Sequence, residues 1–278
     1  MTRVAALDLG THTTRLLVAD VDGARVEALA RRSIITRLGE GVDADRRLAP
    51  DAIERVHRAL ASYRDEAMRL GAERMLAAAT SAVRDAANGP EFLRGLEERF
   101  GFTTRLLTGN QEAELTRRGA GIADDDTLLL DVGGGSTELS VGRSRTSLDV
   151  GSVRLTERHL RSDPPRPEEL AAAAAELRAL LPDLEPTAAV GVAGTVWQLR
   201  ELIGRLTPAA VQAELDRLAA LALAERRRIP KLDPDRAPVI VAGALIVLEV
   251  LRRYRLPEIA FSERDLLDGI ALEAAAAE

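Results

Sequence analysis

The chain has no cysteine, which excludes disulfides and thiolate-bound metal and suits a reducing compartment. It also lacks a basic surplus. A net charge of −6 and a pI near 5.4 argue against general nucleic-acid binding, which wants a positive surface. A locally positive cleft can still hold phosphate on an acidic protein. Aromatic residues are scarce, at 3%, while Ala, Leu and Arg are abundant, a compositional bias that points to no function. Long apolar runs are missing too. The longest, APVIVAGALIVLEVL (237–251), contains Glu249 and falls short of the ~18 residues that suggest a membrane span. It reads as a buried helix, and no membrane association is expected. The opening MTRVAALDLG is too short and too early for a secretory signal, so a cytoplasmic location is expected. What is present, 278 residues with 46% hydrophobic content, suffices for one large domain or two compact ones.

Periodicity predicts an α/β protein. VAALDLG, TTRLLVADV and ARVEALARRSIITR read as three strands, with Asp22-Gly23 turning the chain between the second and third. Residues 50–70 read as a helix with Ile53, Val56, Leu60 and Tyr63 on one face. MLAAAT and TTRLLT are further strands, each followed by a helix. TLLLDVG and STELSVG pair across three glycines, and TSLDVGSVRL is expected to continue that sheet. Beyond the DPPRP turn (163–167) the chain is mainly helical, with helices expected over 168–181, 211–228 and 238–254. AAVGVAGT reads as a strand entering a helix, and EIAFSERDLLDGIAL as a short strand and a closing helix.

A repeat organises this order. LDLGTHTTRL (7–16) aligns without a gap on LDVGGGSTEL (130–139). Both read apolar-Asp-apolar-Gly-x-x-hydroxyl-Thr-charged-Leu, and each opens one half of the chain. Two similarly folded lobes are expected across a central cleft, each contributing one tight hairpin. The boundaries are 1–122 for the first lobe, rejoined by a closing helix at 262–278, and 123–261 for the second.

The turn chemistry suits phosphate. Backbone N–H groups hold an anion well where no side chain obstructs them. Gly133, Gly134 and Gly135 provide that access, with Ser136 and Thr137 as hydroxyl donors. Asp131 stands at the strand end, placed to hold a divalent cation; Asp8 stands in the same place in the first copy. Mg²⁺ is commonly held by one or two carboxylates plus phosphate oxygens and water. Arg15 and Glu138 occupy equivalent slots of the repeat. Glu138 either assists metal or water positioning or pairs with an arginine. One Gly-rich hairpin alone would be unremarkable; its recurrence in register carries the signal.

These hairpins resemble those of the actin, Hsp70 and sugar-kinase superfamily, and in detail the chain resembles the exopolyphosphatase and guanosine pentaphosphate phosphatase family. LDLGTHTTRLLV and LLDVGGGSTEL match its two phosphate loops, ATSAVRDAANG (79–89) its T-x-A-x-R-x-A-x-N segment and TGNQEAEL (108–115) its S-G-x-E-E-A segment. VAGTVWQL and IPKLDPDRAPVIVAGALIV resemble later family segments, so the likeness spans essentially the whole chain in its short, two-domain form. The resemblance implies two ribonuclease H-like (actin/Hsp70-type) lobes. It assigns phosphate binding to Gly10, Thr11, His12, Thr13 and Arg15 in the first loop and to residues 133–137 in the second. It implies Glu112 as general base and Arg84 as a contact to substrate phosphate. Read without the family, Glu112 is only an acid in the first turn of a helix that Asn110 is expected to cap, and Arg84 one arginine among many. Thr80, Asn88, Gly194 and Thr195 have weaker cases; His12, His57 and His159 show no metal spacing, and His57 and Trp197 read as structural. Arg226-Arg227-Arg228 reads as a solvated run that could line a polyanion's approach.

The expectation is therefore a phosphohydrolase dependent on Mg²⁺ (or Mn²⁺) that releases terminal phosphate from inorganic polyphosphate or pppGpp. The alternatives are a low-turnover polyphosphate or (p)ppGpp sensor of the same fold, and a kinase or ATPase of the wider superfamily. His12 and Gln111 depart from the family pattern, which usually has Asn and Glu there, and motivate the sensor. A homodimer is compatible with the resemblance, and no sequence feature establishes one.

Overall fold

The computed structural model describes residues 1–277, and the chain divides into two compact units, Met1–Gly121 with the stretch from Arg264 onward, and Ile122–Glu263. The first unit opens with β1 (Thr2–Leu9), β2 (Thr13–Asp22) and β3 (Arg25–Ile35), followed by a short turn of helix α1 (Val42–Asp45), α2 (Pro50–Arg69) and β4 (Arg74–Ala79). Then come α3 (Ser81–Asp85), α4 (Gly89–Phe100), β5 (Thr103–Leu106) and α5 (Gly109–Ala120). The second unit repeats the opening with β6 (Thr127–Val132), β7 (Thr137–Val141) and β8 (Ser144–Leu148). It continues through α6 (Ser152–His159), α7 (Pro167–Leu180), β9 (Ala188–Val192), α8 (Ala193–Ile203), α9 (Pro208–Ala219), α10 (Leu223–Arg226), α11 (Ile240–Arg253) and β10 (Ala260–Phe261). A last helix, α12 (Leu266–Ala276), returns to the first unit.

The two five-stranded sheets have one topology. The first runs β3-β2-β1-β4-β5 and the second, read the same way, β8-β7-β6-β9-β10. In each, three antiparallel strands are extended by two parallel ones. The parallel strands are reached through helical crossovers, as parallel pairing requires. This is the ribonuclease H-like order, present twice.

Alternation along β1 and β2 explains what flanks the first sheet, because successive side chains point to opposite faces. Ala5, Leu7, Leu9, Leu16 and Val18 pack with α2 and α4 through Val56, Leu60, Phe92 and Leu96. Val4, Ala6, Leu17 and Ala19 pack with Leu266, Ile270 and Ala271 of α12. Asp8 and Arg15 continue this second row, which brings them to the end of α12. That helix crosses α5 without side chains in between. A methyl on Gly119 would lie 2.0 Å from the Asp265 carbonyl oxygen, and one on Gly269 2.1 Å from that of Leu115.

Two expectations are corrected. TSLDVGSVRL continues the sheet only through Leu148, where β8 ends; residues from Ser152 are helical. The amides of Ser152, Val153 and Arg154 donate to the carbonyls of Gly133 and Gly134 at 2.8–3.1 Å, partners that no strand neighbour offers. Residues 211–228 do not form one helix either. The break between α9 and α10 is held by Asp163, which accepts from the Leu223 amide at 2.8 Å and pairs with the buried Arg226 at 3.2 Å. Arg226 therefore belongs to the packing, while Arg227 and Arg228 remain exposed. Among the described residues no helix is long and apolar enough to cross a membrane.

Candidate functional site

The repeat seen in sequence is a repeat in geometry. Asp8 pairs with Arg15 across β1 and β2 as Asp131 pairs with Glu138 across β6 and β7. The loops close identically: the Gly10 amide donates to the Thr13 carbonyl at 3.0 Å, and the Gly133 amide to the Ser136 carbonyl at 3.0 Å. A methyl at either glycine would meet that carbonyl oxygen, at 2.9 and 3.0 Å respectively.

Each loop is also fixed from behind, through two successive carbonyls. In the first unit the Gly39 amide donates to Thr11 O at 2.8 Å, and the Thr36 and Arg37 amides donate to His12 O at 3.1 and 2.9 Å. In the second the donors are the first amides of α6, to Gly133 O and Gly134 O. A trans peptide holds its C=O and N–H antiparallel. Committing these carbonyls to one side turns the N–H groups of His12 and Thr13, and of Gly134 and Gly135, to the other. Paired amides of this kind form an anion-binding concavity.

The equivalent threonines anchor rather than reach out. The Thr14 and Thr36 hydroxyls share a hydrogen bond of 2.9 Å, and the Thr137 hydroxyl donates to Val150 O at 2.6 Å. Thr11, His12 and Ser136 are buried within their loops.

The carboxylates differ between the units. Asp131 and Glu138 are both buried, neighbours across the strand pair, and Glu138 accepts from the Ser147 hydroxyl at 2.7 Å. Asp8 instead faces a guanidinium. Both Nε and Nη2 of Arg15 lie 2.8 Å from the same oxygen, Asp8 Oδ2, while Nη1 of Arg15 donates to Asp265 at the start of α12. Asp8 Oδ1 is buried and has no hydrogen-bond partner. Burial pushes the Asp8 carboxyl above its ordinary value, against the opposing pull of Arg15. No three His, Cys, Asp or Glu side chains cluster as a metal cage among the described residues. One or two carboxylates completed by phosphate oxygens and water are what Mg²⁺ ordinarily uses. The orphaned Asp8 oxygen and the Asp131–Glu138 pair fit that mode.

Glu112 is buried in the first turn of α5. The helix is capped by Thr108 and not by Asn110: Thr108 Oγ1 accepts from the Gln111 amide at 3.3 Å, and Gln111 Oε1 accepts from the Thr108 amide at 2.9 Å. This reciprocal capping box gives Gln111 a structural task directly before Glu112. Arg84, ending α3, donates to the Leu107 carbonyl at 2.7 Å and lies 3.5 Å from Glu112 Oε2. The structure thus brings Arg84 and Glu112 together, and Asp8 with Arg15. Asn88 holds a loop, exchanging hydrogen bonds of 2.8 and 3.0 Å with the Leu48 backbone. Thr195 donates to Val132 O at 2.9 Å, steadying the end of β6.

Sequence reasoning missed the backing elements. Arg37 adopts φ of +50° beside Gly39 behind the first loop; its TRLGEG stretch reads simply as the end of a strand. Asp265 gives no sequence signal beyond a helix cap.

Two ribonuclease H-like units, each presenting an Asp-bearing strand and an amide-lined hairpin, define a protein of the actin and sugar-kinase fold class. The chain belongs to the Ppx/GppA phosphatase family, whose model matches residues 17–278. It is 38% identical to exopolyphosphatase 2 of Mycobacterium tuberculosis over 99% of both chains. Among solved structures, the Aquifex aeolicus PPX-GPPA enzyme superposes with a TM-score of 0.81 at 28% identity, covering 98% of this chain and 99% of that one. An exopolyphosphatase from Cytophaga hutchinsonii shares the fold, with a TM-score of 0.91 at 23% identity, over 100% of this chain and 99% of that one.

Proposed function

We propose that the protein is a phosphohydrolase that removes the terminal phosphate of inorganic polyphosphate, with pppGpp as a second substrate presenting the same phosphoanhydride. The observation that carries this is the pair of matching hairpins, each with two amides turned to one side beside an Asp-bearing strand. Full-length similarity to a mycobacterial exopolyphosphatase supports the choice of polyphosphate.

In this reaction the amides of His12 and Thr13, with Thr11, hold substrate phosphate oxygens, and those of Gly134 and Gly135, with Ser136, do the same in the second unit. Glu112 accepts a proton from a water as its oxygen attacks the terminal phosphorus. The bridging P–O bond breaks, orthophosphate leaves, and the shortened chain keeps the bridging oxygen with its negative charge. Arg84, beside Glu112, neutralises charge on the transferring group. Asp131 and Glu138 in the second unit, and Asp8 in the first, are each suited to hold Mg²⁺ (or Mn²⁺), which would supply charge neutralisation at phosphate oxygens. Thr14 and Thr137 fix loop shape, and Arg15 acts on Asp8.

The sensor reading loses one of its two motives, because the Gln111 side chain caps α5; His12 remains the other. A panel of polyphosphate, pppGpp and ATP with Mg²⁺, read as orthophosphate and nucleotide products, tests the proposal. Orthophosphate from polyphosphate is expected. Saturable binding with no release over hours would select the sensor, and ADP from ATP would select a kinase or ATPase.

A further inference from the structure

We infer that Asp265 is a positioning residue for the phosphate site of the first unit: by holding Arg15 from the far side it keeps Asp8 Oδ1 open to a divalent cation. The inference rests on the proposed role of Asp8 as a cation ligand.

A side-on arginine ordinarily grips a carboxylate with two parallel bonds, one to each oxygen. Arg15 does not do so. Its Nε and Nη2 both converge on Asp8 Oδ2, and Oδ1 is left buried without a hydrogen-bond partner. An orphaned buried acceptor is costly, and in a native protein it calls for an explanation such as an ion. The source of the skew lies in α12. Nη1 of Arg15 donates to Asp265 Oδ2, whose other oxygen accepts from the Leu267 amide at 2.9 Å and from Arg31 at 3.5 Å. Asp268 braces the arrangement: its Oδ2 takes Nη2 of Arg31 at 2.7 Å and the Asp265 amide at 3.0 Å. Asp265 and Asp268 are buried, and the glycine crossing of α12 on α5 fixes the backbone that carries them. The guanidinium is therefore tied at both ends and cannot slide along Asp8 to cover Oδ1.

Residues that orient a metal ligand without touching the metal commonly change its affinity by about 10–100-fold when replaced.

Two variants separate this role from the helix cap. Asn and Ser cap helices about as well as Asp, so Asp265→Asn and Asp265→Ser keep the bond to Leu267 while losing the ionic hold on Arg15. Binding of Mn²⁺ in the presence of orthophosphate, followed by electron paramagnetic resonance, is the readout, alongside the melting temperature. The component lost in Asp8→Asn defines the Asp8 site. In Asp265→Asn that component should weaken about tenfold or more, together with a lower melting temperature from the lost buried ion pair. Adding Arg15→Gln to Asp265→Asn should restore it, because no guanidinium then covers Oδ1; damage to α12 would not be repaired in this way. Undiminished Mn²⁺ affinity in Asp265→Asn and Asp265→Ser, with Asp8→Asn defective, overturns the role of Asp265 alone. Full Mn²⁺ binding by Asp8→Asn, or none by the wild-type chain, overturns the role of Asp8 as well.

Discussion

Gly151 offers a sharp test of how the second hairpin loop, the proposed phosphate loop, is held. It caps α6 in an extended conformation, with φ of −141°, that any residue can adopt, so the backbone itself does not require glycine. Space does. A methyl there would lie 2.5 Å from the carbonyl carbon and oxygen of Gly134 and 2.7 Å from the Gly135 nitrogen. These are backbone atoms and cannot swing aside. To reach even a tight contact of about 3 Å, the loop must withdraw by at least about half an ångström. That movement strains the bonds from Ser152, Val153 and Arg154 and re-aims the Gly134 and Gly135 amides. Gly151→Ala should therefore lose about 1–3 kcal/mol of stability, as overpacking does. It should also lose turnover on polyphosphate by up to about a hundredfold, since misplacement of order 1 Å has that effect. Orthophosphate release and thermal melting measure both. Gly95→Ala is the control: its methyl meets nothing within 4 Å in the middle of α4. That change should stabilise by about 0.5–1 kcal/mol and leave turnover alone. Wild-type turnover and melting in Gly151→Ala would refute the packing of α6 on the loop as the source of its shape.

Further outcomes follow from other sites. Lys231 holds φ of +69°, where only glycine is relaxed, so Lys231→Gly should raise stability by about 1 kcal/mol in chemical denaturation. Glu169 accepts from the Arg166 amide at 2.9 Å and from Ser162 at 3.0 Å, and the Arg166 bond leads in holding its carboxyl down to about 2 from the usual 4.5. Its contribution is present above pH 4.5 and is lost as the pH falls from there towards 2. Glu169→Gln should flatten the melting temperature across that window. Arg84 meets Leu107 O and Glu112 through Nη1 alone, so Arg84→Lys keeps the charge but loses the planar guanidinium's other N–H groups for a phosphate. Turnover should fall by about a hundredfold or more, with melting little changed.

The hairpins were readable in the sequence because their constraints are local. Asp, Gly and a hydroxyl at fixed spacing make a strand end and a tight loop, and two copies align without a gap. The alignment sets Asp8 against Asp131 and Arg15 against Glu138, while the cross-strand pairing of Asp8 with Arg15 and of Asp131 with Glu138 is fixed by the hairpin register in the structure. Elements set by distant partners were not readable. Residues 152–155 read as the continuation of a strand, and in the structure they open α6 with the amides of Ser152, Val153 and Arg154 on the loop carbonyls of Gly133 and Gly134. Asn110 is a good cap by type, but Thr108 makes the reciprocal bond with Gln111. Asp265 meets Arg15 across 250 residues of chain, a contact that depends on how α12 returns to the first sheet and that no periodicity encodes.

The central claim is that this chain hydrolyses a terminal phosphoanhydride with Glu112 as the base. It is tested most directly by orthophosphate release from polyphosphate with Mg²⁺, comparing the wild-type chain with Glu112→Gln. The change is nearly isosteric and leaves the Thr108–Gln111 cap in place. Sustained release by the wild type and a loss of about 10²–10⁴-fold in the variant, the usual worth of a general base, is the predicted result. Equal release by both, or none by the wild-type chain, would contradict it.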